Sequence, residues 1–151
     1  MKKFKFSLQS LFNYKQTVER LQKAELKKAQ QALRELLDEE RRLEQAYIDN
    51  ERSLERALRK NVDVVSALSE HDAYFRFLRD ALKELRERIV KAEEIVAKCM
   101  EKLIVTMKEI KTYVKLRDEQ FMQYLKEVQA EEDKEIGDLV SFTTVTGEIT
   151  R

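Results

Sequence analysis

The residues that could perform chemistry are few in this chain, and they stand far apart. His71 is the single histidine and Cys99 the single cysteine, so neither has a second soft ligand with which to build a metal site. The acidic runs at 38–40 and 131–133 lie in helical sequence, where such runs are ordinarily solvated helix faces. A glycine-rich phosphate loop is absent from the sequence. We therefore expect a protein that is not an enzyme and has no cofactor or metal, so that any nucleotide chemistry belongs to a partner.

The composition predicts helices almost throughout. The chain has no proline, and its two glycines, Gly137 and Gly147, both lie near the end, so nothing breaks a helix before Ile136. A net charge of +1 argues against a coat for nucleic acid or membranes. Cys99 falls inside an apolar repeat, which favours packing over a reactive thiol. Because no stretch is apolar enough for a membrane span or a signal peptide, we expect a cytoplasmic protein.

Apolar residues recur at alternating steps of three and four, the pattern of a coiled-coil seam. In the second half the seam consists of Phe75, Leu78, Leu82, Leu85, Ile89, Ala92, Val96, Cys99 and Leu103. The spacing then changes as at a stutter. The seam resumes with Met107, Ile110, Val114, Arg117, Phe121, Tyr124 and Val128. The first half has one block of Leu11, Tyr14, Val18 and Leu21, and a second of Leu26, Ala29, Leu33, Leu36, Glu40, Leu43, Tyr47, Asn50, Leu54 and Ala57.

The stretch RKNVDVVSALSEHD, which begins at Arg59, interrupts the heptads with turn-forming and β-branched residues. It predicts a reversal at about 61–68, with Ser66 or Ser69 capping the next helix. The expected fold is all-α: a long antiparallel two-stranded coiled-coil hairpin with a short flexible C-terminal tail. A single domain at 1–138 contains helices at about 6–60 and 69–136, and the tail covers 139–151.

Charge supports antiparallel pairing. The first thirty residues carry eight Lys or Arg against two Glu, and positions 118–138 carry eight Asp or Glu against two Lys. A hairpin brings these segments together at its open end, where opposite charges set register more than stability. The opening stretch KFKFSLQSLFNYK would close that end, with Phe4, Leu8 and Leu11 beside Phe121, Tyr124 and Val128. Phe6, half a turn from Phe4, is expected to face outward.

Two segments together resemble the FliJ family of the bacterial flagellum: KFKFSLQSLFNYKQTVERLQKAEL at the start and QYLKEVQAEEDKEIGDL near the end. The resemblance implies a soluble, stalk-like component of the flagellar type III export apparatus, which acts in flagellum assembly and so in motility and chemotaxis. It also implies a coupling and chaperone-escort role between the export ATPase FliI and the export-gate protein FlhA. The implied partners are FliI, FlhA and flagellar export chaperones, without nucleic acid or a small-molecule substrate. The implied location is the cytoplasm, peripherally at the inner face of the cell membrane.

The resemblance also implies two binding surfaces. The gate surface of the family is aromatic and aliphatic, and the residues here that match it best are Tyr47, Tyr74, Leu78 and Ala81. The chain departs from the family pattern at two positions: Glu51 stands where a second aromatic residue is expected on the first helix, and Leu85 where a polar residue is expected on the second.

The cluster HDAYFRF adds Phe77 to the gate surface, because a two-helix hairpin buries one face and leaves Tyr74 and Phe77 partly exposed while Phe75 enters the seam. Leu78 also fits the seam, and the aromatic residues also fit a local packing cluster. If the open end enters the ATPase ring, its apolar surface consists of Phe4, Phe6, Leu8 and Leu11; a simple plug is the alternative.

Two other functions remain open from the residues. The first is a generic structural or scaffolding coiled coil. The second is a module whose basic end binds nucleic acid or anionic lipid, which requires unpaired lysines among Lys2, Lys3, Lys5, Lys15, Lys23, Lys27 and Lys28. Antiparallel pairing with the acidic segment would neutralise that basic field.

Overall fold

Two long helices form the protein. A computed structural model describes residues 2–60 and 63–149. Helix α1 spans Gln9–Arg59 and helix α2 spans Val64–Ile149, and the described residues contain no strand. The helices pack against each other as an antiparallel hairpin, which confirms the predicted all-α coiled-coil class.

The chain divides into two compact units. The central unit comprises residues 20–104, and the terminal unit comprises residues 1–19 and 105–151, so each contains a segment of both helices. The residues proposed for the gate lie in the central unit. Those proposed for the ATPase ring lie in the terminal unit.

The reversal between the helices is shorter than predicted. The Ala67 N–H donates to the Asp63 carbonyl at 3.0 Å, and α2 has begun by Val64. The predicted turn is therefore wrong over 64–68, and Ser66 and Ser69 lie inside the helix rather than capping it. Asp63 occupies the N-cap position, where Asp is a preferred residue, and it ends the turn early. The first two residues of the predicted turn, 61 and 62, lie outside the described residues.

The seam of the central unit agrees with the heptads. On α1, every predicted position from Leu26 to Ala57 is buried or half-buried, and on α2 the same holds from Phe75 to Leu103. Leu78 is the most deeply buried, with 1% of its surface exposed. Cys99 is half-buried within this seam, as its place in the repeat predicted. Apolar burial along both helices therefore stabilises this unit and determines which faces meet.

The seam of the terminal unit departs from the predicted one on α1 and at two positions on α2. Leu11 and Tyr14 are 48% and 62% exposed, and Met107 and Phe121 are each 41% exposed. Leu21, just inside the central unit, is also exposed. On α2, five predicted seam positions are half-buried as expected: Ile110, Val114, Arg117, Tyr124 and Val128. Thr106, Tyr113 and Gln120 are buried or half-buried beside them. On α1 the predicted Val18 is half-buried, and the other buried or half-buried positions are Phe12, Lys15 and Glu19. The alternation of three and four thus continues through Thr106, and the predicted stutter is wrong. Each helix keeps in this unit the heptad phase of its apolar positions in the central unit, and polar residues therefore occupy some seam positions.

Helix α2 continues to Ile149, so the helix end predicted at about 136 was wrong, and the predicted tail is helical from 139 to 149. A glycine inside a helix costs only about 1 kcal/mol, so Gly137 and Gly147 do not end it. Thr143 and Thr144 donate their hydroxyls to carbonyls one turn earlier. Every residue from 131 to 149 is exposed. The flexibility of this segment stays a prediction.

Candidate functional site

An exposed aromatic pair lies on α2 of the central unit. Tyr74 and Phe77 are 43% and 63% exposed, and their rings stack nearly parallel with centroids 6.3 Å apart. Phe75, between them in sequence, turns into the seam and packs against Tyr47 with centroids 4.7 Å apart. The three rings are thus divided between core and surface as the sequence predicted. We call Tyr74 and Phe77 the aromatic pair.

The other gate candidates differ in how accessible they are. Tyr47 and Ala81 are half-buried at the edge of the seam, where a partner could touch them. Leu78 is 1% exposed and belongs to the core. Its inclusion in a contact surface was therefore wrong for this fold, because a partner could reach it only by separating the helices.

A polar contact inside the seam lies close to the aromatic pair in sequence. Asn50 is 9% exposed, and its Nδ2 donates to the His71 carbonyl at 3.2 Å. The His71 Nδ1 lies 2.7 Å from the Ala67 carbonyl, which only accepts, so the proton is on Nδ1. With the proton on Nδ1, the Nε2 atom lies 3.4 Å from the Ser53 hydroxyl, which can donate to it. Sequence reasoning missed this role of His71, although a polar Asn50 at a seam position was a signal for it.

The opening stretch of the terminal unit folds onto α2 as an aromatic cap. The Phe4 ring lies edge-on to Phe121 with centroids 5.1 Å apart, and 5.6 Å from Tyr124. The Tyr124 hydroxyl donates to the Lys2 carbonyl at 2.9 Å. Aromatic packing and this hydrogen bond hold the chain before α1 in place. We call these residues the aromatic cap.

The residues proposed for the ATPase ring are placed differently from the prediction. Phe6 is 7% exposed and packs edge-on against Phe12, so its predicted outward orientation was wrong. Phe4 and Leu8 are half-buried, and Leu11 is exposed. The alternation in KFKF does not apply beyond the Ser7 turn, where the chain bends into α1.

Ion pairs join the helices in each unit. In the terminal unit, Lys15 pairs with Glu109, and this hydrogen-bonded carboxylate raises the pKa of Lys15 above its ordinary value of 10.5. In the central unit, Arg86 lies 3.4 Å from a Glu44 oxygen and 4.0 Å from Glu40. Arg86 is more than half exposed, so these pairs orient the helices more than they stabilise them.

The structure shows neither a metal site nor a membrane span within its described ranges. Over residues 2–60 and 63–149, no three His, Cys, Asp or Glu side chains are grouped so as to hold a metal ion. Over the same ranges, neither helix has a stretch long and apolar enough to cross a membrane.

The fold and its surfaces define a coiled-coil hairpin protein with aromatic clusters in both units. A model of the family described as flagellar FliJ protein matches residues 4–145. The chain therefore belongs to the flagellar FliJ family, a family of non-enzymatic components related to flagellar protein export. Comparison with curated proteins and with solved structures gave no significant match.

Proposed function

We propose that this chain is the coupling and chaperone-escort component of the flagellar type III export apparatus. In this role it binds the export ATPase FliI and the gate protein FlhA at the inner face of the cell membrane and handles export chaperones. Family membership supports the link to export. The separation of two aromatic surfaces into two units supports a protein that contacts two different partners.

The aromatic pair is the observation that carries the gate proposal. Two large rings stacked on each other and exposed on a helix are costly to leave in water, and buried aromatic anchors dominate many protein interfaces. The proposed gate surface consists of Tyr74 and Phe77, with Tyr47 and Ala81 at its edge. Leu78 supports this surface from below without contacting the partner.

The ATPase-binding surface is proposed for the start of the terminal unit. Leu11 supplies exposed apolar area, and Phe4 supplies a half-buried ring edge. Lys2, Lys3 and Lys5 are all exposed, and their positive charge would steer and orient the encounter with an acidic ring surface.

The gate proposal is tested by the double variant Tyr74→Ala, Phe77→Ala. We expect binding to FlhA to weaken by about tenfold or more, because truncating two interface anchors typically costs well above 1 kcal/mol. Helical content should be unchanged, since neither ring is in the core. Affinity is measured by calorimetry or a pull-down with purified FlhA, and swimming motility should fall in parallel.

Ile95→Ala is the matched control, because Ile95 is 55% exposed on the same helix of the central unit but outside the aromatic pair. It should bind FlhA as the parent does. Normal binding by the double variant would place the gate surface elsewhere, while leaving the membership of the export family intact.

A further inference from the structure

In the terminal unit, the end of α2 is not covered by any of the described residues. The first described residue, Lys2, bonds through its carbonyl to Tyr124, and Val128 is the last half-buried position on α2. From 131 to 149 the helix is exposed on every side. We call residues 131–149 the C-terminal segment.

The C-terminal segment carries a large amount of exposed apolar surface. Six side chains are between 55% and 78% exposed: Ile136, Leu139, Val140, Phe142, Val145 and Ile149. Exposing this much apolar surface to water is unfavourable. Glycine and threonine also have low helix propensity, so an isolated helix of this sequence would be only marginally stable. We therefore expect another helix to pack against the C-terminal segment.

The charge of the C-terminal segment restricts which surface can pack against it. The first part of the segment is acidic and exposed, with Glu131, Glu132, Asp133, Glu135 and Asp138 against Lys134. A helix that covers it must be basic as well as apolar, since like charges across a helix interface are destabilising.

The same unit carries a surface with that chemistry on α1. Leu11 and Tyr14 are 48% and 62% exposed, three residues apart on the helix, and Lys2, Lys3 and Lys5 precede them, all exposed. The chain does not place its own C-terminal segment on this face, because every residue of that segment is exposed.

We propose that a second copy of this chain covers the C-terminal segment. The segment of each copy packs against the Leu11 and Tyr14 face of α1 in the other copy, with its acidic half beside the lysines. Because the same two copies exchange segments with each other, the arrangement is two-fold symmetric and closes as a dimer. The contact buries apolar surface from both sides and pairs opposite charges. It also covers Leu11, so dimer formation and the proposed ATPase binding exclude each other.

Two single-cysteine variants test the contact in the full-length chain. Tyr14→Cys and Leu139→Cys are each made in a Cys99→Ser background, mixed, and oxidised mildly. We expect a disulfide between the two different variants, and its yield should exceed that of Leu139→Cys mixed with Ile95→Cys by about tenfold. Equal yields in the two mixtures would overturn the proposal. A Leu139 to Leu139 disulfide as the main product would also overturn it, since the segments would then pair with each other.

Charge exchange gives a second, independent measurement. Replacing Lys2, Lys3 and Lys5 by Glu should weaken dimerisation in sedimentation equilibrium by about tenfold or more, as should a rise in salt from about 0.05 M to about 0.5 M. The variant Glu131→Lys, Glu132→Lys, Glu135→Lys should be weakened equally, and mixing the two variants should restore the dimer. A monomer at every concentration, or a dimer that both variants and salt leave unchanged, would contradict this pairing.

Discussion

At the scale of single residues, Phe6 and Leu11 have opposite environments from those their positions in the sequence predict. Phe6 packs against Phe12 beneath the aromatic cap, whereas Leu11 is half exposed on α1. Phe4 and Phe6 do contact different partners, as alternation predicts, but Phe12 on α1 packs against the Phe6 ring, which is buried. Substitution of Phe6 should therefore affect mainly stability, and substitution of Leu11 mainly binding.

Phe6→Ala is expected to lower the free energy of unfolding by about 2–3 kcal/mol, because it removes a buried ring. Leu11→Ala should change it by about 0.5 kcal/mol or less, since a half-exposed side chain contributes little to the core. Thermal unfolding followed by circular dichroism measures both. In the proposed role, Leu11→Ala should in turn weaken FliI binding. Equal stability of the two variants would show that the packing of Phe6 against Phe12 adds nothing to the fold.

Asn50 and His71 form a contact that aligns the two helices of the central unit. Asn50→Ala is expected to destabilise the protein by about 1–3 kcal/mol, because it leaves the His71 carbonyl without its donor inside the seam. Gln45→Ala is the control, since Gln45 is exposed and bonds within its own helix to Asp49. Urea unfolding of the two variants side by side makes the comparison. If both lose the same small amount, the Asn50 contact has no special role.

At the scale of elements, the C-terminal part of α2 shows that a helix can continue without a packing partner. Nothing in the sequence from 131 to 149 stops it, because no proline occurs and the two glycines are separated. Its stability depends on local backbone bonds and, in our proposal, on a second copy. Removing this part of α2 should therefore leave the thermal stability of the monomer unchanged.

Deleting residues 130–149 is expected to leave the melting midpoint unchanged at protein concentrations where the chain is monomeric. The helical signal should fall only by the share of residues removed, because no core residue is lost. Circular dichroism at low concentration tests this. A clear fall in the melting midpoint would mean that the segment packs on its own chain.

At the scale of the whole molecule, the antiparallel hairpin can be tested without any partner. In the terminal unit, Gln120 Nε2 donates to the Ser7 hydroxyl at 2.9 Å. Ser7→Cys and Gln120→Cys, combined in a Cys99→Ser background, should form a disulfide within one chain in dilute solution. Gel mobility before and after reduction measures it. Crosslinks exclusively between chains would contradict the hairpin.

The sequence by itself determined the fold class and the core of the central unit. Apolar residues spaced at three and four from Leu26 to Ala57 and from Phe75 to Leu103 leave one way for two helices to bury their faces. The split of Phe75 from Tyr74 and Phe77 follows from the same spacing. Regular periodicity of apolar residues is local information, so it can be read without coordinates.

Only the tertiary structure decided the α1 seam of the terminal unit and the exposure of Met107 and Phe121 on α2. Leu11, Tyr14 and Met107 are more apolar than Phe12's seam neighbours Lys15 and Thr106, yet the latter are the ones turned inward. On each helix, the heptad phase of the apolar positions in the central unit continues in the terminal unit, although the apolar residues there would favour another phase. The same applies to Phe6, whose environment depends on where the chain folds back onto α2. These outcomes depend on the packing of both helices together, which no single segment of the sequence contains.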